Sequence, residues 1–140
     1  NGFKESRSIK NGIIVPEISG GLCQLPWIMY HLCLQTNIKV TERHHHSKDI
    51  YDETTRFAPL GSDATIVYGY KDFRIENNTE DDINFVFKIE GDILTCSICC
   101  IQKFIINKVQ FDYSKQQQNK LLVKTIINDK LFIENTYEVM

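Results

Sequence analysis

The stretch QLPWIMYHLCLQ, residues 24 to 35, most constrains the fold because it leaves almost no polar face. A helix that is apolar all round has to be buried. Its length would be about 18 Å at the helical rise, which is too short to cross a bilayer. Pro26 suits the first turn of a helix, and Asn37 is a common residue at a helix C-terminus. The sequence therefore predicts one buried helix that begins at about Cys23 or Gln24.

The rest of the chain consists of short apolar segments separated by turn residues, which is typical of strands. Asn11-Gly12 is a strong hairpin signal, and Pro16 disfavours a central strand beyond Val15. Turns are also predicted at Asn77-Asn78, and within residues 90–92 and 128–129. The predicted strand regions are 9–18, 38–46, 63–77, 82–104, 103–113 and 121–139. The sequence therefore predicts an α+β fold, with one buried helix packed on a mostly antiparallel β-sheet or open barrel.

Composition and charge exclude several classes of protein. The 140 residues are 42% hydrophobic and 24% charged, which is ordinary globular usage and enough for one domain over residues 1–140. The net charge of −2 offers no clustered basic face, so we expect no nucleic-acid partner. No apolar run reaches membrane-spanning length, and no signal peptide is visible. Because the chain begins with Asn1, we expect a fragment that lacks its N-terminal part, together with any anchor or export signal located there.

Five cysteines raise the questions of redox compartment and metal binding. An odd number does not suggest a disulfide framework, and it favours a reducing, cytoplasmic location. Cys96 and Cys99 have the C-x-x-C spacing of a zinc site, but a second ligand pair would have to come from Cys33 or from the histidines at 44–46. Their strand-like surroundings favour buried cysteines that fill a core. We therefore predict no metal ion and no other cofactor.

Cys23 is the best candidate for a nucleophile. It follows Gly20 and Gly21 and lies at the predicted helix start, where N–H groups favour a thiolate. The glycines would let a substrate approach closely, and Gln24 could act as an oxyanion donor. A thiol nucleophile also needs a base and a group that orients it. The alternative is that Cys23 is simply a buried core thiol.

A base and an orienting carboxylate follow later in the chain. The histidines at 44–46 end a predicted strand, and Asp63 opens the next strand region. The order Cys, His, Asp is that of papain-like and transglutaminase-like enzymes, whose cores the predicted fold loosely resembles. The histidines could equally be loop residues, and Asp63 a turn residue. Arg43 is predicted to form a structural ion pair or, alternatively, to bind a ligand carboxylate next to His44.

Tyr68 and Tyr70 alternate with smaller residues in the predicted strand 63–77. The pattern favours ordinary cross-strand packing. The alternative is a platform that contacts a sugar or a peptide.

Four ordered motifs resemble those of the VanW family. They are GGLCQ at 20–24, ERHHHS at 42–47, GSDAT at 61–65 and NNT at 77–79. The resemblance implies an association with glycopeptide-resistance clusters or the cell envelope, and it supplies no mechanism. It selects His46 as the base, because His46 precedes Ser47 where the family has its H-S pair.

Three functional hypotheses follow. The first is a VanW-like accessory protein in which Cys23, His46, Asp63 and Gln24 catalyse acyl transfer or amide hydrolysis on a peptide-like or peptidoglycan-related ligand. The second is a non-catalytic module that binds such a ligand through Gly20, Gly21, Arg43 and His44. The third is a structural β-rich domain without a site. The oligomeric state is left open.

Overall fold

The computed structural model describes residues 2, 4–10, 13–18, 21–49, 56, 58–117 and 119–139. Within these ranges the chain forms one helix and ten strands. In chain order they are β1 (Glu5–Lys10), β2 (Ile13–Ile18), α1 (Gln24–Thr36), β3 (Lys39–Glu42), β4 (Lys48–Asp49), β5 (Arg74–Glu76), β6 (Asn84–Glu90), β7 (Ile93–Cys99), β8 (Val109–Gln116), β9 (Lys120–Ile127) and β10 (Lys130–Val139).

Helix α1 begins and ends where the sequence predicts. A turn precedes it, in which the N–H of Gln24 donates to the carbonyl of Gly21 at 3.1 Å. Asn37 ends the helix with a left-handed φ of 63°. Gln24 is the only helical residue that is exposed, which confirms the buried helix. No helix in the described part of the chain has the length and apolar character needed to span a bilayer.

The predicted α+β architecture is wrong. Strands hold 48% of the residues and helix only 11%, so the fold is mostly β. The strands form a four-stranded sheet in the order β4-β10-β9-β8 and three separate pairs, β1-β2, β3-β5 and β6-β7. The apolar side of α1 packs against Ala64 in a loop and against side chains from several strands. The described residues form no papain-like core, since the side chains packed on the helix come from separate groups of strands.

Several predicted hairpins are present. Tight turns join β6 to β7 and β9 to β10, at Gly91-Asp92 and Asn128-Asp129 as predicted. β1 and β2 pair antiparallel, but the predicted turn Asn11-Gly12 lies outside the described residues. β2 continues through Pro16 to Ile18, which is possible because the hairpin has two strands and proline is tolerated at an edge.

The predicted strand over residues 63–77 is mostly wrong. Only β5 is a strand, and residues 63–66 have no regular structure. Val67 and Lys71 form an isolated bridge around a tight turn that leaves Tyr68 and Tyr70 exposed. The predicted cross-strand packing of these two tyrosines is therefore wrong.

The segment 60–65 is buried throughout and positions the functional site. Ala64 joins a core cluster with Tyr30 and Leu34 of α1. Leu60 joins a second cluster with Val123 and Tyr137 of the four-stranded sheet. Phe111 packs against both clusters, so the segment connects the helix to the sheet.

Substituting Gly61 should test how tightly this segment is held. Its φ is +99°, and an added Cβ would lie 2.8 Å from both Phe111 and Val123. We expect Gly61→Ala to lower the free energy of unfolding by about 3 kcal/mol, from backbone strain and overpacking together. Gly69→Ala is the matched control, because its φ is +71° but no atom lies within 4 Å of the added Cβ.

Chemical denaturation of both glycine variants measures the difference. We expect Gly69→Ala to cost about 1 kcal/mol, from backbone strain alone. Equal losses in the two variants would contradict the tight packing of residues 60–65.

Candidate functional site

Cys23 lies at the N-cap of α1, with its thiol directed at the loop that follows residue 64. Its Sγ is 3.4 Å from Thr65 Oγ1, and in its protonated form it donates to the carbonyl of Ile66 at 3.8 Å. The His46 imidazole lies close enough to lower the pKa of the thiol. The thiol is therefore a polar group with two hydrogen-bonding contacts and an imidazole neighbour, rather than an inert thiol among aliphatic side chains.

His46 is held by Asp63. Its backbone N–H donates to Asp63 Oδ2 at 2.7 Å, and its ring Nδ1 lies 2.8 Å from the same oxygen. This arrangement fixes the orientation of the imidazole and leaves Nε2 for the thiol. The ring of Trp27 packs at 5.8 Å between centroids, and the His46 side chain is 21% exposed.

Asp63 is the buried anchor of the site, with 0% of its residue surface exposed. While Oδ2 binds His46, Oδ1 accepts from Arg43 Nη2 at 3.0 Å and from the Tyr137 hydroxyl at 2.6 Å. Both carboxylate oxygens therefore have charged or polar donors, as a buried charge requires.

Arg43 holds Asp63 in place through hydrogen bonds and is not positioned to bind a ligand. Its Nε donates to the backbone carbonyl of Asp63 at 2.7 Å, and its Nη1 donates to Asn135 at 2.6 Å. The guanidinium lies 4.7 Å from the centroid of the Tyr30 ring. Because its side chain is only 7% exposed, an incoming carboxylate has little access to it.

The electrostatics favour an ion pair between Cys23 and His46. Burial by itself raises the pKa of Cys23, but hydrogen bonds from His46 and Thr65 outweigh it and lower the pKa to about 7. Burial by itself lowers the pKa of His46, but Asp63 and Cys23 outweigh it and raise the pKa to about 9. Burial likewise opposes the charge of Asp63, and its hydrogen bonds hold that pKa at about 2.

These directions define the charge state of the site. Between about pH 7 and 9 the thiol is a thiolate, the imidazole is an imidazolium and Asp63 is ionised. The thiolate is the nucleophilic form of cysteine. An imidazolium beside it can donate a proton to a leaving group.

The other predicted site residues are placed differently. Gln24 lies at the exposed start of α1, next to Cys23, but its backbone N–H is already bound to Gly21. Only its side chain is left as an oxyanion donor. His44 binds Glu42 at 2.9 Å and is not part of the Cys23 site. Gly21 has a φ of +84° and lies against Ser6, and Gly20 is outside the described residues.

Sequence reasoning missed three side chains that shape the site. Thr65 contacts the thiol, Tyr137 binds Asp63, and Trp27 packs on His46. The motif GSDAT contained a signal for Thr65, since Asp63 and Thr65 are two residues apart and can project to one side. Tyr137 comes from the far end of the chain, and no local pattern connects it to Asp63.

The zinc hypothesis has no support in the described residues, where no group of three or more His, Cys, Asp or Glu side chains is placed to hold a metal ion. Cys33 is buried, and Cys96 and Cys99 lie on β7.

Comparison with known proteins identifies relatives. The family model described as "VanW like protein" matches residues 1–99. A similar curated protein is the vancomycin B-type resistance protein VanW of Enterococcus faecalis, 23% identical over 98% of this chain and 56% of that protein. Another is the uncharacterized protein YoaR of Bacillus subtilis, 26% identical over 59% of this chain and 25% of that protein.

The chain thus spans little more than half the length of the first relative and a quarter of the second. No solved structure matches it.

Proposed function

Since this chain belongs to the VanW family, we propose that it is a cysteine-dependent member of that family which transfers or hydrolyses an acyl group. The observation that carries this proposal is that Asp63 holds the His46 imidazole at 2.8 Å and that this imidazole lies close enough to Cys23 to lower the pKa of its thiol. The proposed roles are nucleophile, acid–base group and orienting carboxylate.

The proposed reaction uses the charge state described above. The Cys23 thiolate attacks the carbonyl carbon of an amide, and a tetrahedral oxyanion forms next to the start of α1, where the Gln24 side chain can donate to it. The His46 imidazolium then donates its proton to the leaving amine, the C–N bond breaks, and an acyl-thioester remains on Cys23. Neutral His46 next takes a proton from water or from a second amine, which attacks the thioester and frees the thiolate.

The rigidity of the site supports a catalytic role. His46 is fixed by two bonds to Asp63, and Asp63 is fixed by Arg43 and Tyr137, so the imidazole needs no reorganisation before proton transfer. The E. faecalis relative is named for vancomycin resistance. For this chain we propose a peptidoglycan-related peptide as the substrate class.

A simple acyl donor tests the proposal. The probe is the acetyl thioester of mercaptoethanol, with peptide mapping by mass spectrometry and release of free thiol as readouts. We expect acetylation of Cys23 followed by repeated turnover, because an oriented acid–base group accelerates both steps by about a hundredfold or more. Cys23→Ser should abolish turnover, and His46→Gln should lower it by about a hundredfold.

Cys99→Ser is the matched control, because Cys99 is an exposed cysteine on β7. It should keep full turnover. Equal turnover by the wild-type protein and Cys23→Ser would refute the enzymatic proposal.

The alternative of a binding module loses one of its supports. In that alternative the helix N-terminus at Cys23 would bind a carboxylate with Arg43 beside it, but the Arg43 guanidinium is buried against Asp63, Asn135 and Tyr30. The same turnover measurement separates the two proposals, since a module without chemistry would release no thiol in a Cys23-dependent manner.

A further inference from the structure

The tight turn that follows Thr65 and Ile66, the residues that contact Cys23, carries two exposed aromatic side chains. The N–H of Val67 donates to the carbonyl of Lys71, and the N–H groups of Tyr70 and Lys71 donate to the carbonyl of Val67, all at 2.9 Å. Gly69 has a φ of +71°, which lets the chain reverse within a few residues. We define residues 67–71 as the tyrosine turn.

The exposure of the tyrosine turn is unusual for aromatic residues. Tyr68 is fully exposed, and Tyr70 is 79% exposed. The backbone that carries them is fixed by the three hydrogen bonds of the turn. Rigid, exposed tyrosines supply large amphipathic contact area at low entropic cost, which is why they are enriched in binding surfaces.

The position of the turn connects it to the thiol. Ile66 accepts the hydrogen bond of Cys23, and Tyr68 is two residues further along. Two extended residues span at most about 7 Å, so the Tyr68 backbone lies within about two peptide units of the residue that binds the nucleophile. Leu22, the residue before Cys23, is partly exposed as well. An exposed apolar side chain and the tyrosine turn are therefore both within two residues of Cys23 or of the residue that accepts its hydrogen bond.

We propose that the tyrosine turn is the substrate-recognition element of the Cys23 site and that its occupant is an extended peptide-like chain lying across Tyr68 and Tyr70. The inference rests on the proposed function and specifies its substrate. A peptide is favoured because the group attacked by the thiolate is an acyl carbon, and the units next to an amide-linked acyl carbon in a peptide are further planar amides. Tyrosine rings pack on such planes, and their hydroxyl groups can bind the amide N–H and C=O groups.

Two thioesters test this inference. One is a thiodepsipeptide that carries alanine residues on both sides of the thioester, and the other is the acetyl thioester of mercaptoethanol, which carries none. In both cases the thioester acyl group moves to Cys23 Sγ, and a free thiol leaves. The measured quantity is the ratio of the two second-order rate constants for acylation of Cys23.

We expect the wild-type protein to favour the thiodepsipeptide, and the double variant Tyr68→Ala/Tyr70→Ala to lower the ratio about tenfold. The variant Tyr68→Phe/Tyr70→Phe keeps the rings and should retain most of the preference. Phe132→Ala is the matched control, because Phe132 is an exposed aromatic residue on β10 outside the site. It should leave the ratio unchanged.

The failures are distinguishable. If neither thioester acylates Cys23, the proposed function and this inference both fall. Suppose that Cys23 is acylated but the ratio of rate constants is the same in the wild-type protein and in the double alanine variant. Only the inference is then overturned. The same holds if Phe132→Ala lowers the ratio as much as the double alanine variant does. Oligomers of N-acetylglucosamine should compete only if the occupant is a glycan. If they slow the acylation of Cys23 and acetyl-tetraalanine amide does not, the occupant is a glycan rather than a peptide, and the inference is also overturned.

Discussion

Asp63→Asn is expected to lower the free energy of unfolding by about 3 to 5 kcal/mol, because it removes the carboxylate charge that compensates the buried Arg43 guanidinium. Asp63 is fully buried and binds Arg43, His46 and Tyr137 at once. Asparagine has nearly the same shape, so the loss would report the charge rather than a cavity. Urea unfolding measures it through the midpoint at an unchanged slope.

Glu76→Gln is the matched control for this stability experiment. Glu76 pairs with Lys39 at 2.8 Å, but both side chains are more than half exposed. An exposed pair contributes about 0 to 1 kcal/mol, so this variant should remain close to the wild type. A loss below about 1 kcal/mol in Asp63→Asn would contradict the anchoring role of Asp63.

Low pH should lower the free energy of unfolding of the wild-type protein, because protonation of Asp63 removes the same charge that Asp63→Asn removes. The pKa of Asp63 in the folded protein is about 2, below its ordinary value of 3.8. Its stabilising contribution is therefore present above pH 3.8 and is lost as the pH falls through about 2. The stability of Asp63→Asn should depend less on pH in this window.

His46→Gln is expected to slow the alkylation of Cys23 at pH 7 by about tenfold. With the imidazole present, the Cys23 pKa of about 7 makes about half of the thiol ionised at that pH. Without it, only the contacts with Thr65 and Ile66 oppose the effect of burial, so the pKa of Cys23 rises towards the ordinary thiol value and the thiolate fraction at pH 7 falls. The higher intrinsic nucleophilicity of a more basic thiolate offsets part of this loss.

Peptide-resolved mass spectrometry after iodoacetamide treatment measures this rate. Cys99 provides an internal control in the same samples, because it is exposed on β7 and His46 is not among its contacts in the described structure. Its alkylation rate should be the same in both proteins. An unchanged rate at Cys23 would show that His46 does not stabilise the thiolate.

The helix and several turns were predictable because their signals are local. Pro26 and Asn37 mark the two ends of α1, and the pairs Gly91-Asp92 and Asn128-Asp129 mark hairpins by their own backbone preferences. The sheet organisation was not predictable in this way. Alternating apolar residues identify a strand but not its partner, so the four separate groups of strands and the parallel pairing of β4 with β10 could not be inferred.

The segment from Asp63 to Lys71 shows why the region beside the site was misread. Its β-branched and aromatic residues have the composition of a strand. Asp63 and Thr65 instead form buried polar contacts with His46 and Cys23, and the chain then reverses at the tyrosine turn. Contacts between residues far apart in the sequence therefore override the local strand preference.

Cys23, His46 and Asp63 lie in three of the motifs that resemble the VanW family, and that resemblance rather than local composition distinguished His46 from the two histidines before it. Their roles in catalysis stay a prediction. A structural ion pair of Arg43 was predicted, but its partner Asp63 and its contacts with Asn135 and Tyr30 were not, since these residues lie far from it in the sequence. Tyr137 was missed for the same reason.

The pH dependence of Cys23 alkylation in the wild-type protein tests the central claim most directly. A thiolate paired with the His46 imidazolium predicts that the rate rises to half its maximum at about pH 7. A half-maximum at about pH 9, the ordinary value for a thiol, would show that Cys23 and His46 are neutral neighbours and would contradict the account.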